Sequence, residues 1–189
     1  DIHDEQGEIA LCILSAVNVG GLNDLSELEN ICDLSVRALE QIIDYQDYPV
    51  KAAEVSTKKR RSLGIGYIGL AHYLAKNGVK YSDPKAWDLV DRLSEAFQYN
   101  LLRASCNIAI EKGRCEGFER TKYADGLLPI DHYKKEIDEI VPHKQRMAWE
   151  SLRKDIAKHG LRHSTLSAQM PSESSSVVSN ETNGIEPPR

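Results

Sequence analysis

Between Asp83 and Gly113 the chain carries an apolar pattern that a long helix satisfies. Trp87, Val90, Leu93, Phe97, Leu101, Ala104 and Ile108 recur at intervals of three and four, which places them on one helical face. Asp83 followed by Pro84 is an N-cap with proline at the first helical position, and Gly113 is a natural stop. Roughly thirty residues at 1.5 Å each make a rod of about 40 Å, long for a small domain. Such a rod packs along a large surface, so the fold must be organised around it.

The rest of the chain supplies few partners of the sheet type. Residues 8–19 read as a buried strand, apolar on both faces apart from Ser15 and Asn18 and ended by Gly20-Gly21. Asp24 with Glu27 forms a capping-box pattern. Leu25, Leu28, Ile31, Cys32, Leu39, Ile42 and Ile43 then predict a helix that stops before Pro49. A polar connector is expected over 51–61, a second helix over 62–77, and shorter helices near 131–141 and 145–159. A second strand is expected over 161–169. The reading is of one partial domain, mostly α-helical with a few short strands. It consists of a strand at 8–19, a helical layer over 24–159, and a strand plus loop at 161–180. Two strands this far apart make no stable sheet without partners. The chain starts without methionine, ends on Pro-Pro-Arg, and reads as a segment of something longer, expected to self-associate or be marginally stable when isolated.

Charge and cysteine use exclude several classes. A net charge of −5 gives no electrostatic case for a nucleic-acid partner, and Lys58-Lys59-Arg60-Arg61 reads as a solvated loop. Nothing is long and apolar enough to span a bilayer. Cys12, Cys32, Cys106 and Cys115 form no C-x-x-C pair, which argues against zinc and against a secreted disulfide scaffold, and favours a cytoplasmic setting. The six histidines show no metal-like grouping, and no metal ligands are assigned.

Three segments carry candidate chemistry. Gly64-Ile-Gly-Tyr-Ile-Gly69 matches a dinucleotide fingerprint, but no apolar strand precedes it and no acid follows at the required distance. These glycines read instead as a place where a helix packs closely on a neighbour. Cys32 and Cys106 fall on apolar helix faces and read as core, and Cys115 reads as a surface thiol, whereas Cys12 lies in a strand-like run, open to either a structural or a chemical role. Finally, residues 164–180 hold seven serines, with Glu173 among them, where an apolar run breaks at Pro171 and a helix could begin. Such a turn either caps the helix or offers hydroxyls and N–H groups to a phosphate.

Several long motifs in one order resemble a known family. They are GEIALCILSAVN (7–18), DYQDYP (44–49), RRSLGIG (60–66), LPIDHYKK (128–135), TLSAQMPSESS (165–175) and NGIEPPR (183–189). Across essentially the whole chain these are similar to the large (alpha) subunit of aerobic, class I ribonucleotide reductase, of the bacterial or bacteriophage type. The resemblance implies an α/β fold, part of a ten-stranded barrel. It also implies radical-based reduction of ribonucleoside diphosphates, with Cys12 as one member of a redox-active cysteine pair. Glu173, Ser174 and Ser175 match the loop that holds the substrate diphosphate, and Ser172 precedes and supports it. The family often has threonine where Ser174 stands, which keeps the hydroxyl.

The same resemblance implies no cofactor on this chain itself; the radical comes from a metal-containing small (beta) subunit. Further partners are the rest of the barrel and thioredoxin or glutaredoxin as reductant. The Asn-x-Cys-x-Glu motif and the second redox cysteine are expected upstream of Asp1, and a tyrosine pair downstream of Arg189. The chain alone is therefore expected to be inactive. The alternatives are a non-catalytic helical interaction module or relict subunit, against which the intact Cys12 and Ser172–Ser175 argue, and a nicotinamide-dependent reductase, which the context of the glycine motif disfavours.

Overall fold

The computed structural model describes residues 7–140 and 144–187. Its elements are β1 (Ile13–Asn18), α1 (Glu27–Tyr45), α2 (Lys51–Arg60), β2 (Leu63–Ile68), α3 (Leu70–Lys76), α4 (Pro84–Lys112), α5 (Trp149–His159) and α6 (Glu173–Val178), with short 3-10 turns between α4 and α5. His3 and His143 lie outside the described residues, as do the last two residues of the NGIEPPR motif.

The long helix forms as its pattern requires. Asp83 is the N-cap of α4, its carboxylate accepting the Lys80 N–H at 2.8 Å, and Gly113 ends it at φ 85°. α1 lies along α4. Leu28, Cys32, Val36, Leu39 and Ile43, spaced by three and four, face Leu93, Phe97, Leu101 and Ile108 within one core. Full burial of such side chains contributes roughly 1.5–3 kcal/mol each. Cys32 and Cys106 are fully buried, and burial pushes their thiols up to about 12 and about 11. α5 closes the far side of α4, where Trp149 stacks edge-on with Tyr99 at 5.3 Å and donates its indole N–H to Glu95 at 2.9 Å.

β1 and β2 pair in parallel, with Leu14 opposite Gly64 and Ala16 opposite Gly66. Alternation sends Val17, Leu63, Ile65 and Tyr67 into the core beneath α1, and leaves Leu14 on the other face, 52 % exposed. The sheet therefore has one face packed beneath α1 and a second face that is exposed at Leu14 of β1 but buried along β2.

Several expectations are corrected here. Strand β1 covers 13–18 rather than 8–19, so Cys12 precedes it. Residues 51–60 are helical, not a connector; their buried face is Ala52, Ala53, Ser56 and Thr57, too polar and small to register as an apolar stripe. The span 62–77 is strand then helix, with Gly69 at φ 82° making the turn. The helical layer is thus interrupted by β2. Residues 131–141 give only 3-10 turns among those described, and α5 begins at 149, not 145. Residues 161–169 form no strand of their own: they run beside β2 with a single bridge, Ser167 to Ile65, and main-chain bonds from Leu63 and Ile65 to Thr165 and Leu166. Asp24 accepts from Ser26 N at 2.8 Å, and Glu27 accepts from Asn23, so the reciprocal capping box does not form. Cys115 is 3 % exposed, drawn inward because its N–H donates to Leu161 O.

An ionic centre ties four distant segments together. Glu40 of α1 is 1 % exposed and accepts from Arg61 Nε at 2.7 Å, Arg162 Nε at 2.9 Å and His163 Nε2 at 3.0 Å. Arg61 also forks onto Asp44. On the far side of the ring, Ser105 Oγ meets His163 Nδ1 at 2.9 Å and accepts from His163 N. A carboxylate partner fixes the tautomer, so Nε2 donates and Nδ1 accepts the serine proton. This lattice holds residues 161–163 against α1 and α4, and so aims the segment that follows.

Candidate functional site

That following segment runs along the free edge of β2 from Thr165 and then passes over the second face of the strand at Ala168–Met170. Leu63 N donates to Thr165 O at 3.0 Å and Ile65 N to Leu166 O at 2.8 Å. The crossing is close because the strand has no side chains there. A Cβ on Gly64 would stand 2.6 Å from Leu14 Cδ2, 3.3 Å from Ala168 Cβ and 3.8 Å from Cys12 Sγ. On Gly66 it would collide with the Ala168 carbonyl and meet Met170 Cε and Sδ at 3.1 Å. The glycine motif thus serves close packing, as expected, but on a strand rather than a helix. Gly66→Ala is expected to cost about 1–3 kcal/mol by overpacking, read as a lowered urea midpoint. The added methyl would also lift Ala168 and Met170 off the strand.

Two of the predicted features therefore share one face. Cys12 Sγ sits at the Gly64 end. Of the four cysteines it alone is exposed, whereas burial pushes the Cys115 thiol up as it does Cys32 and Cys106. At the Gly66 end, about 7 Å further along the strand, Met170 and Pro171 lead into α6. Ser172 is the residue before α6 and 4 % exposed, with its hydroxyl turned back to Met170 O at 3.0 Å. Ser175 Oγ donates to Ser172 O, and Ser176 Oγ to Glu173 O. These serines brace the turn. Glu173 and Ser174 are exposed, and the N–H groups of Glu173, Ser174 and Ser175 take no backbone acceptor among the described residues. The first turn of a helix leaves such donors for an anion.

A cleft of about 560 Å³ opens beside this turn. Gln169, Met170, Pro171 and Glu173 form one wall, and Thr182 to Pro187 the other. Thr182 Oγ1 and Asn183 Oδ1 are buried without a hydrogen-bond partner among the described residues. A buried polar atom left unpaired costs about 1–3 kcal/mol, a cost that a hydrogen-bonding ligand in the cleft would offset. No group of three or more His, Cys, Asp or Glu among the described residues is arranged to hold a metal.

Residues 2–189 match the family model described as ribonucleotide reductase, barrel domain. The chain belongs to the ribonucleotide reductase family. Its relatives include the ribonucleoside-diphosphate reductase subunit alpha of Haemophilus influenzae, 61 % identical over 188 residues, 100 % of this chain and 25 % of that protein. The subunit alpha of Buchnera aphidicola subsp. Baizongia pistaciae is 58 % identical over 189 residues, again 100 % of the chain and 25 % of the relative. That of Enterobacteria phage T4 is 46 % identical over 191 residues, with the same coverage. The chain spans about a quarter of the length of these reductase subunits.

Among the described residues, no helix is long and apolar enough to cross a membrane. The sequence flagged Cys12 and Ser172–Ser175 but did not single out the walls around them. Glu40, Arg61, Arg162 and His163 come from segments up to 123 residues apart, and no local pattern links them.

Proposed function

We propose that this chain forms part of the catalytic barrel of a cytoplasmic ribonucleoside-diphosphate reductase, contributing one redox cysteine and the diphosphate-binding turn. The observation that carries this reading is the shared second face of β2, where Gly64 and Gly66 admit Cys12 at one end and the segment leading to Ser172–Ser175 at the other. The diphosphate lies at the Glu173–Ser175 donors, with the Ser174 hydroxyl free to add a bond and Ser172 holding the turn. That leaves the ribose on the Cys12 side of the turn.

In the proposed reaction the C2′–O bond of the ribose breaks and the oxygen leaves as water. A hydrogen takes its place at C2′. The two electrons come from Cys12 and a second cysteine outside this chain, which become a disulfide; thioredoxin or glutaredoxin then reduces it. The radical that opens the substrate to this chemistry is supplied by a metal-containing small subunit. Exposure suits Cys12 to the task, since a disulfide partner must reach its sulfur. The remainder of the barrel is required, and the chain alone is expected to turn over no ribonucleoside diphosphate.

Pyrophosphate provides a test within the chain itself. Titration followed by amide resonances should shift Glu173, Ser174 and Ser175, with α1 and α4 unaffected. Shifts confined to the Lys58–Arg61 region would place anion binding elsewhere and remove the diphosphate role from this turn.

A further inference from the structure

We infer that Glu181 is a positioning residue for the cleft, keyed into a slot between Gly20 and Gly69 so that the Thr182–Asn183 wall stands at a set distance from the Met170–Glu173 wall. The inference rests on the reading of this cleft as a ligand site. α6 itself is poorly anchored. Val177 and Val178 are 79 % and 87 % exposed, and Ser172 and Ser176 are the buried residues of the turn and helix. A six-residue helix with so little buried surface does not hold its own position. Something beyond it must.

Glu181 is that anchor. Its side chain is 5 % exposed although it follows an exposed helix. Gly20 ends the loop after β1 and Gly69 the turn after β2, so both strands offer a bare backbone at the same level. A Cβ on Gly69 would stand 2.8 Å from Glu181 Cγ and 2.9 Å from its Cδ. One on Gly20 would collide with Oε2 and stand 2.7 Å from His72 Nδ1. In the slot, Oε2 accepts from His72 Nδ1 at 2.8 Å and Oε1 from Thr182 N at 2.8 Å. The main chain completes the clamp: Glu181 N donates to Ser176 O at 2.9 Å, and Gly69 N donates to Thr182 O at 2.9 Å.

Glu181 thus joins α6 on one side to the cleft wall on the other, and fastens both to the ends of β1 and β2. Burial would push its carboxyl up, but the bonds from His72 and Thr182 N hold it below the usual carboxylate range. The residues immediately after it carry the unpartnered Thr182 Oγ1 and Asn183 Oδ1. Their placement in the cleft depends on this clamp.

Amide hydrogen exchange and pyrophosphate titration on Glu181→Ala, Gly20→Ala and Glu181→Gln test the inference. Gly20→Ala fills the slot without altering a charge, and Gln keeps the acceptor for Thr182 N. In Glu181→Ala and Gly20→Ala, exchange across residues 176–185 should rise at least about tenfold while α1 and α4 keep their protection. Pyrophosphate affinity should fall about fivefold or more as preorganisation is lost, with Glu181→Gln staying within about threefold of the parent. Unchanged exchange across 176–185 in both disruptive variants would overturn the anchor. If the parent chain binds no pyrophosphate while exchange changes as expected, the anchor stands and the diphosphate reading falls.

Discussion

Replacing Glu40 by alanine is expected to lower the stability of the chain by about 3–5 kcal/mol, the cost of stranding a buried charge partner. Glu40 is 1 % exposed, and Arg61, at 4 %, would keep Asp44 and the residue-40 carbonyl but lose its buried carboxylate partner. Arg162 and His163 would lose their acceptor as well. Because this lattice aims residues 161–170 across β2, the loss should loosen the candidate site as well as the core. Urea unfolding measures it directly, as a lower midpoint with little change in slope.

The same lattice sets the response to acid. Burial would push the Glu40 carboxyl up, but the bonds from His163, Arg61 and Arg162 hold it down to about 2. With the folded value below the unfolded one, its contribution is complete above pH ~4.5 and is lost as pH falls toward 2. Burial pushes His163 below its ordinary value, against the pull of Glu40. The folded state therefore holds this ring neutral, and protonation favours unfolding. Its contribution is complete above pH ~6.5 and declines as pH falls through the depressed folded value. Stability should thus fall in two stages on acidification, and Glu40→Ala should shrink the lower one, to which other paired carboxylates such as Glu95 and Asp131 also contribute.

Cys12→Ser is expected to abolish turnover sustained by thioredoxin in a reductase subunit whose matching quarter is this chain. Serine matches the thiol in size but forms no disulfide, so substrate binding should survive while reduction stops. Cys115→Ser is the control: its thiol is buried in the core, and the change should cost stability without this selective loss. Turnover that persists in Cys12→Ser at the parental rate would remove the residue from the redox pair.

How far these outcomes were legible in the residues varies along the chain. α4 was, because its Asp-Pro start, glycine stop and repeated apolar spacing are local signals, and α1 was through its apolar spacing. β2 was not. A six-residue buried run has too short a period to separate strand from helix, and the glycines of 64–69 carry no side-chain evidence either way. α2 escaped notice because its buried face is made of Ala, Ser and Thr. Residues 161–169 read as a strand for a sound reason, since Thr165–Ser167 does run along β2, yet its bonds there amount to one isolated bridge and no full strand. The candidate residues Cys12 and Ser172–Ser175 were visible through motif resemblance. Their common face depends on two missing Cβ atoms and on an ionic lattice joining residues 40, 61, 105 and 162–163. Neither is written in any single segment.

The most direct measurement is to let the full reductase subunit containing this chain complete one turnover without added reductant, and then map its cysteines by mass spectrometry. The account predicts Cys12 in a disulfide with a cysteine outside residues 1–189, in proportion to the deoxynucleotide formed. Deoxynucleotide formed while Cys12 remains a free thiol would contradict it.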